Sequence, residues 1–357
     1  MGQRTFASAK DAKYPEKGAP LFANFGVFRG PDFRAALTGW SQSRSKTKRK
    51  RWCGGGAGLP LRRSSAWLGL FMTGKALTFF SRLFSTVVLW TVSLAIILSG
   101  NPWGFLFLIF SLSMIGLWEF YTMLDHKKLP NFKIIGMLCG VVLILGSFYW
   151  CWKVGPGRSY DFELAVMLSF VLIVFARQMF EKMRDIRPLE TMAFTLFGLF
   201  YVPWLFNFIT KIVFLLPGQG HLYVLFCIVI TKFSDMGAYL TGSVIGKHPL
   251  IPHISPKKTW EGFFGALAFS VGGACAYYAL VPQIHRLLWP DVIVLGLLLG
   301  FAAIVGDLAE SILKRSTDVK DSGNFLPGIG GTLDLIDSLL FTAPLLFFYL
   351  RIVVGIS

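Results

Sequence analysis

Acidic and basic residues recur at helical spacing where one long apolar segment ends. If residues 306–315 are helical, Asp307, Glu310 and Lys314 lie on one face, because positions three and four apart are neighbours on a helix. Carboxylate oxygens are the ligands that Mg²⁺ selects, and amines complement phosphate. The stripe therefore indicates a site for a metal ion and phosphate. The alternative is an intrahelical salt bridge, worth roughly 0.2–0.5 kcal/mol.

A glycine-rich segment follows and leads into two further acids. Gly328, Gly330 and Gly331 leave the backbone free to turn its amides towards an anion. A helix that begins just afterwards would add its positive N-terminal end and would carry Asp334 and Asp337 on one face. We interpret the segment as a metal–phosphate pocket, and the alternative is a tight loop with aspartate helix caps.

A third charged segment precedes these two. Its members are Asp235, Lys257, Lys258 and Glu261. Ser255 and Pro256 are typical of a helix N-cap and first helical position, which would place both lysines at a helix start. Cations there oppose the helix dipole, and a bound anion would relieve the conflict. We interpret the lone Lys232 as a snorkelling side chain or a structural ion-pair partner.

Membrane helices are the elements that must carry these residues. The chain of 357 residues is 54% hydrophobic and 15% charged, with a mean hydropathy of +0.59, whereas soluble domains have about 25% charged residues. This excludes a soluble enzyme, a disordered protein and a secreted disulfide scaffold. We predict an all-α polytopic membrane protein of about nine transmembrane helices, since successive apolar segments can cross ~30 Å of hydrocarbon. The predicted spans are 83–100, 103–124, 134–152, 163–176, 191–210, 222–241, 262–281, 291–310 and 336–355.

The basic residues give the orientation. With nine crossings, the loops on the side of the N-terminus carry thirteen Lys and Arg residues, and the opposite side carries five, Lys211 among them. This asymmetry obeys the positive-inside rule. We therefore predict a cytoplasmic N-terminus.

Residues 1–71 form a basic arm with no periodic apolar pattern. Residues 1–82 contain 16 of the 35 Lys and Arg residues but only three acids. Such a composition does not fold alone, so we predict a disordered arm. It could bind anionic lipids, act as an organellar transit peptide, or be translated sequence upstream of the true start at Met72.

Charges inside or at the ends of apolar spans gather after residue 230. An ionised group at mid-bilayer costs roughly 2.5–3.5 kcal/mol, so such groups need a partner or a watery cavity. We predict N-terminal transmembrane helices over 72–230 and a C-terminal catalytic transmembrane region over 231–357, with the active site at the cytoplasmic face.

These segments together resemble the phosphatidate cytidylyltransferase (CDP-diacylglycerol synthase) family. The family signature reads S-x-x-K-R-x4-K-D-x5-P-G-H-G-G-x-x-D-R-x-D-S, and this chain matches it from Ser311 to Ser338. The matching positions are Ser311, Lys314, Arg315, Lys320, Asp321, Pro327, Gly328, Gly330, Gly331, Asp334, Asp337 and Ser338. The chain departs from it at Ile329, where His is usual, at Thr332, where an aliphatic residue is usual, and at Leu335, where Arg is usual.

The resemblance implies an enzyme that converts CTP and phosphatidic acid into CDP-diacylglycerol and pyrophosphate, with Mg²⁺ and a second cation. It implies metal ligands at Asp307 and Asp334, with Glu310 as a further candidate, and catalytic roles for these two aspartates together with Lys314 and Asp337. The implied substrate-binding residues are Asp235, Lys257, Lys258, Glu261, Ser311, Arg315, Lys320, Asp321, Gly330 and Gly331. It also implies a homodimer in a bacterial inner membrane, with an organellar membrane as the alternative.

Three other functions compete with this hypothesis. A CTP-dependent lipid kinase would transfer the γ-phosphate instead of the cytidylyl group. A transporter, or another non-catalytic membrane protein, would spread its charges through the bilayer depth, whereas here they gather at one face. A nucleic-acid binder would depend on the basic arm alone, so we predict no nucleic-acid partner.

Overall fold

The computed structural model of the chain describes residues 86–181, 186–284, 286–323 and 330–356. Over these residues the chain is almost entirely helical. Eight helical segments are long and apolar enough to cross a membrane, and a further apolar helix, Thr86–Ser99, is shorter. The prediction of an all-α membrane protein with about nine helices is confirmed. The basic arm, residues 1–71, lies outside the described residues.

The described residues contain ten α-helices. They are α1 (Thr86–Ser99), α2 (Pro102–His126), α3 (Lys133–Lys153), α4 (Pro156–Met179), α5 (Arg187–Leu199), α6 (Phe208–Leu215), α7 (Gly220–Ile245), α8 (Trp260–Leu280), α9 (Trp289–Ser316) and α10 (Thr332–Phe348). Helices α5 and α6 form one span, joined through the π-helical turn Phe200–Trp204. Pro203 lies in that turn, and its missing N–H interrupts the regular hydrogen-bond ladder.

A short β-hairpin precedes α8, where the sequence predicted a helix start. Strand β1 (Pro249–Ile251) pairs antiparallel with β2 (Ser255–Thr259). The N-cap of α8 is Thr259, whose Oγ1 accepts the Gly262 N–H at 3.2 Å. The prediction that Ser255 and Pro256 begin this helix is therefore wrong, because pairing with β1 extends the backbone through both residues. Lys257 and Lys258 lie on a strand, so no helix dipole opposes them.

Small residues let the last four helices approach closely, as is common in membranes. A Cβ added at Gly237 on α7 would lie 2.6 Å from the Gly265 carbonyl oxygen on α8. A Cβ at Gly306 on α9 would lie 2.8 Å from the Asp337 carbonyl oxygen on α10. The Ser338 hydroxyl donates to the Ala303 carbonyl at 3.2 Å across the same contact. The backbones of α9 and α10 therefore meet where the predicted site residues lie.

Lys211 was counted among the loop residues of the side opposite the N-terminus, and the structure corrects this. It lies on α6 with a fully buried side chain, and its Nζ is 2.6 Å from Glu163 Oε2 on α4. The other oxygen of Glu163 accepts from Ser147 and Asn207, each at 2.9 Å. A buried lysine requires such a partner. Glu163 is the first residue of the predicted span 163–176, and nothing local in the sequence indicates that it pairs with Lys211.

Candidate active site

A cavity of about 580 Å³ lies between the hairpin and helices α7 to α10. Four lysines and five acids line it. They are Lys232, Asp235, Lys257, Lys258, Asp307, Glu310, Lys314, Asp334 and Asp337. Eight of these nine are residues that the sequence placed in the site, and Lys232 is the addition. The three charged segments therefore meet in one place.

The charged stripe on α9 forms as its spacing predicts. The Lys314 Nζ lies 2.9 Å from Glu310 Oε2 on its own helix and 2.7 Å from Asp334 Oδ1 on α10. The intrahelical salt bridge is therefore real, and it extends across the helix pair. Asp307, one turn before Glu310, lies with its Oδ2 2.6 Å from Lys258 Nζ on β2. Asp307 and Asp334 thus each face a lysine from another element.

The start of α10 presents Asp334 through a helix cap. Its Oδ2 accepts the Gly331 N–H at 3.2 Å, so the cap interpretation also holds, while Oδ1 faces Lys314. Gly330 has φ of +115°, a conformation that favours glycine, and brings the chain into this turn. Asp337 lies one turn further on, is buried and lines the cavity. The preceding residues 324–329, including Pro327, Gly328 and Ile329, lie outside the described residues.

Two predicted substrate-binding residues contact the hairpin instead of lining the cavity. Glu261 on α8 accepts the backbone N–H groups of Lys247 at 3.2 Å and His248 at 3.3 Å, and the His248 ring lies 2.7 Å away. The Arg315 Nε lies 3.5 Å from the Ile254 carbonyl. The two side chains hold the hairpin at both ends of the strand that carries Lys257 and Lys258.

Five other predicted residues also fall outside the cavity lining. Ser311 lies half-buried on α9, and Lys320 and Asp321 are exposed in the segment after this helix. Gly330 lies in the turn before α10, and Gly331 is the N-cap residue of that helix. The structure thus brings together five of the seven predicted acids and three of the four predicted lysines, and it leaves the other predicted residues outside the cavity.

The donor set of the cavity fits a hard divalent cation. Among the described residues, no three His, Cys, Asp or Glu side chains converge closely enough to hold a metal ion by themselves. Mg²⁺ at nucleotide sites takes only one or two carboxylates and completes its shell with phosphates and water. Glu310 Oε1 is buried with no hydrogen-bond donor in the described part of the chain, which fits the position of a metal ligand.

Glu119 on α2 is a buried acid beside the site that the sequence analysis did not single out. Its Oε2 accepts the Leu333 N–H at 2.8 Å and lies 3.5 Å from the Ser322 hydroxyl. The carboxylate thus touches both flanks of the glycine-rich segment and sits at the positive end of α10. A single acid within the apolar run of α2 was the available signal, because such a placement is costly without a partner.

Removing the Glu119 carboxylate is expected to loosen the start of α10. A buried hydrogen bond to a charged group contributes ~1.5–3 kcal/mol, so Glu119→Ala should speed amide exchange at Thr332–Asp334 by more than tenfold. Glu119→Gln keeps an acceptor of the same shape and should stay near the wild-type rate. Hydrogen–deuterium exchange with mass spectrometry measures both, and equal rates in all three proteins would contradict the assigned contact.

Comparison with known proteins shows the class of protein to which the chain belongs. Residues 80–353 match the Cytidylyltransferase family. The chain is 32% identical over 253 residues to the phosphatidate cytidylyltransferase of Bacillus subtilis, covering 70% of this chain and 89% of that protein. It is 33% identical over 272 residues to the phosphatidate cytidylyltransferase of Staphylococcus aureus, covering 74% of this chain and 96% of that protein. It is 37% identical over 157 residues to the uncharacterized protein YnbB of Escherichia coli, covering 44% and 50% of the two chains.

The chain therefore belongs to the cytidylyltransferase family and is a nucleotidyltransferase of phospholipid biosynthesis, held in a membrane by its apolar helices.

Proposed function

We propose that this protein transfers the cytidylyl group of CTP to phosphatidic acid, giving CDP-diacylglycerol and pyrophosphate. The supporting observation is the polar cavity, in which carboxylates of α9 and α10 face lysines of β2 and α9 at one end of the helix bundle. An enzyme that joins a membrane lipid to a soluble nucleotide needs such a site, polar and set beside hydrocarbon.

The reaction brings two polyanions together. A phosphate oxygen of phosphatidic acid attacks the α-phosphorus of CTP, the new P–O bond forms, and the bond to the β-phosphate oxygen breaks to release pyrophosphate. The nucleophile is already an anion, so the protein supplies charge neutralisation and positioning and needs no general base. Lys257, Lys258 and Lys314 are the cavity cations assigned to the phosphates.

Mg²⁺, with a second cation, is the proposed cofactor. Asp307 and Asp334 would hold it with Glu310, whose buried Oε1 has no hydrogen-bond donor among the described residues. Bound there, a divalent ion would neutralise phosphate charge and align the attacking and leaving oxygens. Asp235 and Asp337, which line the same cavity, are proposed to orient these groups.

The site is proposed to face the cytoplasm, where CTP is available, and the protein is placed in a bacterial inner membrane as a homodimer. The basic loops on the same side as the site support this orientation. Phosphatidic acid would reach the cavity from the inner leaflet.

Labelled CTP tests the proposed reaction. Purified full-length protein with Mg²⁺ and phosphatidic acid in mixed micelles should move ³²P from the α-position of CTP into lipid and leave γ-label in pyrophosphate. Entry of γ-label into lipid would replace the proposal with a lipid kinase. If neither label enters the lipid, a transporter or another non-catalytic membrane protein would be the remaining hypothesis.

A further inference from the structure

A separate cavity of about 280 Å³, the loop cavity, lies outside the candidate active site. It is formed where α4 ends, where α5 begins and where the loop between α2 and α3 passes beside them. None of the described residues that line it also lines the polar cavity. The same loop reaches the end of α9 through the ion pair of Lys127 with Asp318, so both cavities lie at one end of the helix bundle.

Two amide oxygens in the loop cavity are buried acceptors. Gln178 on α4 is only 7% exposed, and no described residue donates a hydrogen bond to its Oε1. The Asn131 Nδ2 donates to Asp125 Oδ1 at 2.8 Å and to the Leu129 carbonyl at 3.2 Å, which uses both amide hydrogens. Its Oδ1 is buried and also has no donor within the described chain. Because buried acceptors are costly without a donor, this pair fits a ligand that supplies N–H or O–H groups.

Charged side chains of both signs complete the lining of the loop cavity. The Glu181 carboxylate lines it and lies 2.6 Å from the Arg177 guanidinium, so it adds a charged acceptor to the two amide oxygens. Arg187, the first residue of α5, also lines it and is exposed. An ammonium group brings three N–H donors to such acceptors, and a guanidinium complements phosphate. The lining therefore suits a ligand that carries an ammonium and a phosphate.

Exposed apolar side chains flank the loop cavity on both helices. Met179 and Phe180 at the end of α4 are more than 80% exposed, and Ile186 and Leu189 at the start of α5 are at least 60% exposed. Both helices belong to membrane spans, so hydrocarbon exposed at their ends contacts lipid. The loop cavity therefore opens at the level of the phospholipid headgroups.

We propose that the loop cavity binds the headgroup of a zwitterionic phospholipid with a primary amine. The ammonium is held by Gln178 Oε1, Asn131 Oδ1 and the Glu181 carboxylate, and the phosphate faces Arg187. This site goes beyond the proposed function, because it shares no described residue with the polar cavity and no group is transferred in it. A choline headgroup has the same charges but no N–H donor, so the two headgroups separate hydrogen bonding from charge. A soluble phosphate ester of the same amine has the same headgroup chemistry without acyl chains.

Two photoreactive phospholipids test the site in mixed micelles. They carry the same diazirine-bearing acyl chain and differ only in an ethanolamine or a choline headgroup. In the full-length protein, the ethanolamine probe should label peptides at the end of α4 and the start of α5 at least about fivefold more than the choline probe does. Both probes should label the exposed residues Leu297 and Phe301 of α9 equally. Unlabelled phosphatidylethanolamine should compete, and soluble phosphoethanolamine at the same concentration should not.

Substitutions identify the groups that select the headgroup. Gln178→Leu removes the acceptor and should reduce the preference for ethanolamine to less than about twofold, while Met179→Leu, the exposed neighbour, should keep it. Arg187→Gln should lower labelling by the ethanolamine probe at least about threefold, and Arg187→Lys should preserve it.

Equal labelling of the α4–α5 peptides by both probes in the wild type, or an unchanged preference in Gln178→Leu, would overturn the inference. Unchanged labelling of Arg187→Gln would overturn it as well, and this exposed position keeps the test decisive if Gln178→Leu does not fold. Competition by soluble phosphoethanolamine as strong as that by the lipid would overturn the assignment to a phospholipid.

Discussion

Asparagine in place of Asp334 or Asp307 is expected to lower turnover by on the order of 10²–10³-fold, the range found when a charge-stabilising group is removed from an active site. The Asp334→Asn variant keeps a side-chain acceptor for the Gly331 N–H, so the start of α10 should fold normally. What it loses is the negative charge that faces Lys314 and that we assign to a cation. The rate of CDP-lipid formation, titrated with Mg²⁺, measures the effect.

Asp318 provides the matched control for these two variants. It is an exposed acid just beyond α9 that pairs with Lys127 and does not line the cavity. Asp318→Asn should therefore turn over like the wild type, and all three variants should reach the membrane in equal amounts. Wild-type turnover in Asp307→Asn or Asp334→Asn would remove the metal assignment.

Breaking the buried ion pair of Lys211 with Glu163 should have the largest effect on stability. Lys211→Met leaves the Glu163 carboxylate buried without a counter-charge, and removal of one partner from such a pair costs ~3–5 kcal/mol. Lys211→Met combined with Glu163→Gln removes both charges and keeps an acceptor for Ser147. The double variant should therefore be more stable than the single one, as measured by reversible unfolding in mixed micelles.

An exposed ion pair at the C-terminal end of α4 gives the control. Arg177 and Glu181 lie 2.6 Å apart with each side chain more than 40% exposed, so Arg177→Met should change the unfolding free energy by less than ~1 kcal/mol. If Lys211→Met were no more destabilising than Arg177→Met, the buried pair would not stabilise the packing of α4 against α6.

Local sequence patterns predicted much of the fold and the carboxylates that line the cavity. The 3.6-residue period placed Asp307, Glu310 and Lys314 on one helix face, and the structure has them there. Hydropathy located the spans, including the short one at 163–176, which lies within the longer helix α4. Helical spacing and hydropathy both depend on residues that are close in the sequence, so they can be read without knowing how the helices pack.

Contacts between distant segments could not be predicted. Ser255 and Pro256 have the composition of a helix start, but pairing with Pro249–Ile251 makes them a strand. Glu119 reaches Leu333, more than two hundred residues along the chain, because α2 packs against α10. An isolated acid in an apolar run indicates that a partner exists, whereas its identity depends on the tertiary arrangement.

The central claim is that Asp307 and Asp334 bind a cation together with the polyphosphate of CTP. Electron paramagnetic resonance of Mn²⁺, substituted for Mg²⁺ in the purified protein with a non-hydrolysable α,β-methylene CTP, tests it most directly. The account predicts ³¹P hyperfine coupling to the bound Mn²⁺ in the wild type and its loss in both Asp307→Asn and Asp334→Asn. The same coupling in the two variants and the wild type would contradict it.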